Sequence, residues 1–553
     1  MSSSFEFLDY LIFIVYALVI LGLGLWVSRN KEGKEKSAED YFLAGKSLPW
    51  WAIGASLIAA NISAEQFIGM SGSGFALGLA IASYEWMAAI TLIIVGKYFL
   101  PIFIEKKLYT IPEFVEKRFS SQLKTILAIF WISLYVFVNL ASVMYLGGLA
   151  LETIIGIDLV YAVIGLALFA AAYSLYGGLT AVAWTDIIQV VFLVLGGLVT
   201  TYLALDTVSQ GQGVFEGLRS IYRAAPDRFE MILDKSNPEY SNLPGIGVLI
   251  GGLWVANLYY WGFNQYIIQR TLAAKSLRES QKGILFAAGL KLFIPFIVVI
   301  PGIAAYVIVN DPEILAVLGE NGMMNIPEDG KADKAYPWLM QFLPVGFKGV
   351  ALAALAAAIV SSLASMLNST STIFTMDIYK QLINRNADDK MTVRVGRISA
   401  AVALIIGATM APLLGGIDQA FQFIQEYTGI VSPGILAVFI LGLFWKKTTN
   451  KAAIWGALSS IPIAMVLKVG SKGWMEGTAL EAFFPNLPWM DQMGLTALLT
   501  IAVIVVVSLQ QNKGAQDTNA IDLPKEIFKT SPIFNIGAFA TLILLTVIYS
   551  LFW

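Results

Sequence analysis

Long apolar runs follow one another along almost the whole chain, and each is separated from the next by a short polar connection. A helix of about 20 residues just crosses a hydrocarbon core of about 30 Å. Backbone amides find no water there and must bond within the segment. These runs therefore read as helices spanning a membrane. Their approximate limits are 9–28, 49–75, 78–104, 123–155, 158–177, 181–205, 244–268, 281–309, 345–379, 393–413, 417–445, 451–468, 491–509 and 533–552, about fourteen in all. Only 13% of the 553 residues are charged, against about a quarter in soluble domains. The fold class is an all-α polytopic membrane protein, with the lipid bilayer as its first partner.

The charge balance removes several function classes. A formal net charge of −2 gives no basic field for nucleic acid. Cys and His are both absent, which excludes disulfides, thiolate nucleophiles, imidazole bases and the usual zinc sites. The first run follows Glu6 and Asp9 and lacks a small-residue cleavage site, so it reads as a retained helix.

Direction follows from Lys and Arg. Of the 36, 25 fall in alternate connections, beginning with Arg29, Lys31, Lys34, Lys36 and Lys46 and including Arg270. Nine fall in the other set, and Lys97 and Lys291 lie inside spans. This bias puts the richer set in the cytoplasm and both termini outside. The two longest connections, near 206–243 and 310–344, are then external. They either fold over a transport path or run as plain surface loops. The polar linker at 510–532 is too short to fold alone.

A polar side chain at mid-membrane depth costs a few kcal/mol unless it is paired or faces water. The second span carries Ser56, Asn61, Ser63, Glu65 and Gln66, then glycines at 69, 72 and 74. Either the helix is broken here, freeing carbonyls toward a buried site, or the glycines form a packing face with Ser and Asn as interhelical glue. No phosphate loop is present, since no Lys-Ser/Thr follows the glycines. The third span holds Tyr84-Glu85-Trp86, and Lys291 in the eighth is the only other ionisable residue so central. The two either pair directly or converge on one ligand. The seventh span sets Asn257 beside Tyr259, Tyr260 and Trp261, where aromatic faces suit sugar C–H surfaces and amides read hydroxyls. Ordinary interface aromatics remain the alternative. Ser361, Ser362 and Ser365 in the ninth span suit a hard monovalent cation beside unwound carbonyls, although such hydroxyls commonly bond back to their own helix. Phe421 and Gln425 lie one turn apart on the eleventh. No Arg is central in any span on this reading. The inventory of amides, one Glu, one Lys and aromatic walls fits a neutral, hydroxyl-rich ligand.

Four stretches carry a resemblance: Glu39-Asp-Tyr-Phe-Leu-Ala-Gly-Lys-Ser-Leu-Pro-Trp-Trp, the run from Asn61 to Gly74, Trp254-Val-Ala-Asn-Leu-Tyr-Tyr-Trp-Gly-Phe-Asn-Gln, and Ala358-Ile-Val-Ser-Ser-Leu-Ala-Ser-Met-Leu-Asn-Ser. The chain resembles the solute:sodium symporter family over nearly its whole length. The resemblance implies a ten-helix core of two inverted five-helix repeats, with the first and sixth core helices broken. It implies an N-terminal extra helix and loop at 1–48, repeats at 49–206 and 244–446 flanking an external loop at 207–243, and three C-terminal helices at 447–553.

Functionally it implies alternating access in a bacterial inner membrane. A small neutral sugar of the galactose or glucose type would enter with a sodium ion, and no ATP site is needed. The family's sugar site falls on Asn61, Gln66, Glu85, Asn257, Lys291 and Gln425. Tyr260 resembles the stacking inner gate, and Met70, Tyr84 and Phe421 the outer hydrophobic gate. The sodium site falls on the carbonyls of Ala59, Ile62 and Ala358 and the hydroxyls of Ser361 and Ser362, with Asp186 as a cation station on the exit path. Ala88 departs from the pattern, standing where the family's galactose carrier has a serine. Rival readings are a family symporter for inositol, an amino acid or an acid sugar, and a sodium-gated sensor or channel. An intramembrane enzyme is disfavoured by the missing His and by the lack of a paired intramembrane Asp motif. The oligomeric state is left open.

Overall fold

The computed structural model describes residues 5–27, 29, 37–318, 326–327, 331–415, 419–471, 477 and 487–553. The described residues are helical, joined by turns, with one isolated bridge between Leu48 and Ala274. The elements used below are α1 (Phe7–Val27), α2 (Trp50–Asn61), α3 (Ser71–Leu77), α4 (Ser83–Ile94), α5 (Ser121–Ile155) and α6 (Leu159–Val208). There follow α7 (Gly252–Phe263), α8 (Gln265–Leu272), α9 (Leu277–Asn310), α10 (Phe347–Ile373) and α11 (Asp389–Met410). The chain closes with α12 (Ala420–Phe444), α13 (Asn450–Val469), α14 (Trp489–Asn512) and α15 (Pro532–Leu551).

Among the described residues, eleven continuous helical runs are long and apolar enough to cross a membrane, and the bent pair around Gly251 makes a twelfth. The run from Glu65 to Glu105 is interrupted at Gly78, where φ is 81° and ψ −150°. It thus supplies the second half of one span and the whole of the next. Among the described residues each of the fourteen predicted apolar runs falls on helix, the one at 158–177 on a shorter apolar helix at 159–172. Several begin at side-chain caps placed where the polar connections end. Ser276 accepts from the Glu279 amide, Asp388 from Met391, Thr449 from Ala452 and Ser531 from Phe534. Each satisfies an amide that the first helical turn leaves without a carbonyl.

Burial separates core from rim. In α1 only Asp9, Tyr16, Ile20 and Gly24 are buried, whereas nearly all of α10 is enclosed. Asp9 accepts hydrogen bonds from the Gly346 and Gly349 amides at 2.7 and 2.9 Å, which seats α1 on the N-terminus of α10. In α6 the two expected spans are one helical run kinked at Gly178, where φ is 64° and ψ −158°. A Cβ there would sit 2.4 Å from the Tyr41 carbonyl oxygen, so only glycine fits.

The described parts of both long connections pack on one end of the bundle. Arg228 donates to the Phe75 carbonyl at 3.2 Å and to that of Ala76, at the end of α3. Asp333 accepts from the Ala420 amide at 2.9 Å, at the start of α12. At the opposite end the polar linker is tied down. Arg118 is fully buried, reaches Asp517 at 3.0 Å, and donates to the carbonyls of Gly442 and Thr448. The Tyr109 hydroxyl, in a connection at that same end, donates to Glu39 at 3.0 Å. Partial burial, together with that carboxylate, pushes it up to about 12.

Candidate functional site

The second span is broken, as the polar run suggests. Helix α2 ends at Asn61, and Ile62 is extended at φ −81°, ψ 98°. The Ser63 amide, which in a continuous helix would bond the Ala59 carbonyl, instead donates to the Gln66 side-chain oxygen at 2.9 Å. The Ser63 hydroxyl donates to the same oxygen at 3.2 Å and accepts from the Glu65 amide at 3.0 Å. A six-residue π-turn, Glu65–Met70, then leads into α3. The carbonyl end of α2 is thereby released from its own ladder at mid-span.

The seventh span is broken in the same way. Between α7 and α8, Asn264 is extended at φ −79°, ψ 118°. Tyr135 from α5 fills this gap. Its hydroxyl donates to the Asn264 side chain and accepts from the Gln265 amide at 2.9 Å. One broken helix therefore opens each expected repeat.

Between the breaks lies a cavity of about 560 Å³, its open mouth included. All six residues expected to read a ligand line it: Asn61, Gln66, Glu85, Asn257, Lys291 and Gln425. Lys291 donates to both Glu85 and Asn61, so the carboxylate and the ammonium pair directly while both face the cavity. The two sequence readings of this pair are thus compatible. The Lys291 ammonium also lies 5.1 Å from the centroid of the Trp261 ring. Its charge is matched before any ligand arrives. Ala88, the departure from the family pattern, lines the wall as well. Asn257 gives one amide hydrogen to the Leu253 carbonyl of its own helix at 3.2 Å.

Three of the four gate residues line the same cavity. Tyr84 and Phe421 meet edge to face, with ring centroids 5.0 Å apart. The Tyr260 hydroxyl accepts from the Asn61 amide at 3.0 Å and from the Tyr266 hydroxyl at 2.9 Å. Met70 is buried but is not among the lining residues. Sequence reasoning gave Glu65 no role, yet it lines the cavity and its Oε1 is buried without a hydrogen-bond partner. Its signal was its spacing, one turn beyond Asn61 in an apolar span.

The residues expected to hold a cation also come together. Ala59, Ile62, Ala358, Ser361 and Ser362 are all fully buried. The Ser362 hydroxyl donates to the Ala60 carbonyl at 3.0 Å, which joins α10 to the end of α2 just before the break. Ser361 donates to Asp186 at 2.5 Å, as does Ser56. One expectation is corrected here. The charge pattern places Arg270 in a cytoplasmic connection, but it lies in α8 at 1% exposure and pairs with Asp186 at 3.3 Å. It also donates to the Ser56 carbonyl at 3.0 Å and to the Ser365 hydroxyl. An arginine therefore lies in the protein interior, where the charge pattern predicts none. The break at Asn264 carries the following helix back into the core, and a hydropathy reading ends the span at 268, two residues short of Arg270.

The hydrogen bonds form one chain, from Glu85 through Lys291, Asn61, Tyr260 and Tyr266 to Arg270, which donates to the Tyr266 carbonyl, and on to Asp186 and Ser361. The polar groups can hold a neutral polyol at one end and a small cation at the other. Among the described residues, no group of three His, Cys, Asp or Glu could hold a metal ion.

Comparison with known proteins bears on the family and the fold. A model described as the sodium:solute symporter family matches residues 41–459. A sodium/glucose cotransporter from Vibrio parahaemolyticus is 66% identical over 553 residues, covering 100% of this chain and 99% of that one. A sodium/myo-inositol cotransporter 2 from Homo sapiens is 35% identical, covering 83% of this chain and 69% of its own. Among solved structures, the substrate-bound outward-open state of a Na⁺-coupled sialic acid symporter superposes with a TM-score of 0.76 at 23% identity. That match covers 91% of this chain and 98% of the other, and it bears on the fold.

Proposed function

Because this chain belongs to the sodium:solute symporter family, we propose that its cavity carries a small neutral sugar, of galactose or glucose type, inward with sodium. The chain is a multi-pass membrane protein and a sodium-coupled symporter. It moves its solute and does not transform it. The observation that carries the sugar reading is the cavity wall. Asn61, Gln66, Asn257 and Gln425 offer amides, and the one Glu–Lys pair cancels its own charge. An anionic or zwitterionic solute would meet no uncompensated cation there.

In this reading the six residues named hold the sugar, Tyr84, Phe421 and Met70 close its outer side, and Tyr260 closes its inner side. Sodium, a co-substrate, binds the Ala59, Ile62 and Ala358 carbonyls and the Ser361 and Ser362 hydroxyls. A later station at Asp186 requires the ion to share that carboxylate with Arg270. The repeats run 49–206 and 244–446, with 1–48, 207–243 and 447–553 outside them. The Lys and Arg bias supports an inner-membrane orientation with both termini external. One charge moving through ~100 mV supplies about 2.3 kcal/mol, and a tenfold sodium gradient adds about 1.4 kcal/mol. Together these sustain roughly a few-hundredfold accumulation at one sodium per sugar. A second reading, a cyclic polyol such as inositol, is favoured by the identity with the human inositol carrier and by the same amide-lined wall.

The test is uptake of labelled galactose, glucose and myo-inositol into proteoliposomes, with and without an inward sodium gradient. The expected result is sodium-driven hexose accumulation that is lost in Gln66→Ala and that in Ser362→Ala is weakened at low sodium and restored at saturating sodium. Folded protein that takes up neither hexose would overturn the sugar assignment, and uptake of inositol alone would transfer it to the polyol.

A further inference from the structure

One wall of the cavity comes from outside the two proposed repeats. Met493, on α14, lines the same space as Asn257 and Gln425 and is itself buried. Backbone contact fixes its place. Helix α14 crosses α7 at Gly252, where a Cβ would fall 2.0 Å from the Met490 carbonyl oxygen. Met490 is one turn before Met493. No side chain larger than hydrogen fits at that crossing, so the level of Met493 against α7 has little freedom to slide. On its other flank the thioether meets α12. A Cβ added at Gly429 would come 3.2 Å from the Met493 sulfur, and the Ser432 hydroxyl donates to that sulfur at 3.7 Å. Gly429 and Ser432 line the cavity too.

We propose that Met493 is a specificity-determining residue, the wall that sets how large a solute the cavity admits. This rests on the sugar reading above. A thioether is apolar, unbranched and polarizable. It gives a hydroxyl no strong partner and takes up room that a substituent would need. Helix α14 therefore selects by size, while the amides of the ten-helix core select by hydrogen bonding. The solutes shut out are hexoses enlarged by an N-acetyl, O-alkyl or second-sugar group.

The experiment measures inhibition of sodium-driven labelled galactose uptake by galactose, methyl galactoside, N-acetylgalactosamine and lactose, in wild type, Met493→Leu, Met493→Ala and Met493→Phe. Met493→Leu conserves volume and should keep the wild-type profile. Met493→Ala should weaken galactose several-fold, by about fourfold for each methylene of lost contact. It should also strengthen inhibition by at least one enlarged analogue about tenfold, with sodium half-saturation unchanged. Met493→Phe should weaken every member of the series, the larger ones most. An unchanged profile in Met493→Ala overturns the proposal. So does an equal loss for every solute and for sodium alongside a normal Met493→Leu. A wild type that takes up no hexose sinks the sugar reading and this inference with it, and the wild-type arm alone identifies that case.

Discussion

The side-chain amide of Asn61 donates a 3.0 Å hydrogen bond to the hydroxyl of Tyr260, across the cavity wall from α2 to α7. Asn61 also accepts from Lys291. One amide thus touches both a ligand-facing charge and the ring expected to gate the inward path.

Tyr260→Phe keeps the ring and removes that link. The bond contributes about 1 kcal/mol, or roughly fivefold in rate if it holds the gate shut. Efflux of preloaded sugar from sodium-free liposomes should quicken by about that factor. The half-saturation for external sugar should stay within about twofold. An unchanged efflux rate would remove Tyr260 from the gate.

Lys291→Ala strands the Glu85 carboxylate in the interior. Breaking a buried pair costs about 3–5 kcal/mol, so the midpoint of thermal unfolding in detergent should fall clearly. The double variant Lys291→Met with Glu85→Gln should recover most of that midpoint while uptake stays absent. Recovered uptake would mean that the pair serves packing alone.

Ser362→Ala removes one proposed sodium oxygen and the bond to the Ala60 carbonyl. A loss of about 1–1.5 kcal/mol corresponds to a roughly tenfold higher sodium half-saturation. Maximal uptake at saturating sodium should change little. By linkage, sugar should then lower the sodium requirement by the same factor by which sodium tightens sugar binding.

Gly178→Ala tests the kink in α6. Its φ of 64° and ψ of −158° suit glycine alone, and the added methyl would strike the Tyr41 carbonyl oxygen. Backbone strain of about 1–3 kcal/mol is expected before any clash is counted. Lower yield and a lower thermal midpoint are the readout, and a wild-type midpoint would show that the kink relaxes freely.

Much of this architecture is written in one-dimensional pattern. Length and hydropathy suffice for spans, because the bilayer fixes how long an apolar helix must be. Breaks are legible where polar residues cluster, as between Asn61 and Gln66. Arg270 was not legible. The apolar run ends at 268, and nothing local says that the next turn stays in the core to meet Asp186, 84 residues earlier. Glu65 was visible as a residue, but its aim into the cavity depends on the π-turn that carries it. Met493 is one apolar residue among many in α14, and only the glycine crossing with α7 gives it a place in the wall.

The side-chain oxygen of Gln66 is already occupied by the amide and hydroxyl of Ser63. That leaves its NH₂ as the group to offer. A hydroxyl arriving there must present its lone pair, not its hydrogen. A solute that instead competes for the oxygen would free the Ser63 amide to return to the Ala59 carbonyl, one of the oxygens proposed for sodium. The orientation of one amide thus makes the polarity of a solute's hydroxyl matter to the ion, so a solute that fits the space but points its hydrogen the wrong way would bind while discouraging sodium.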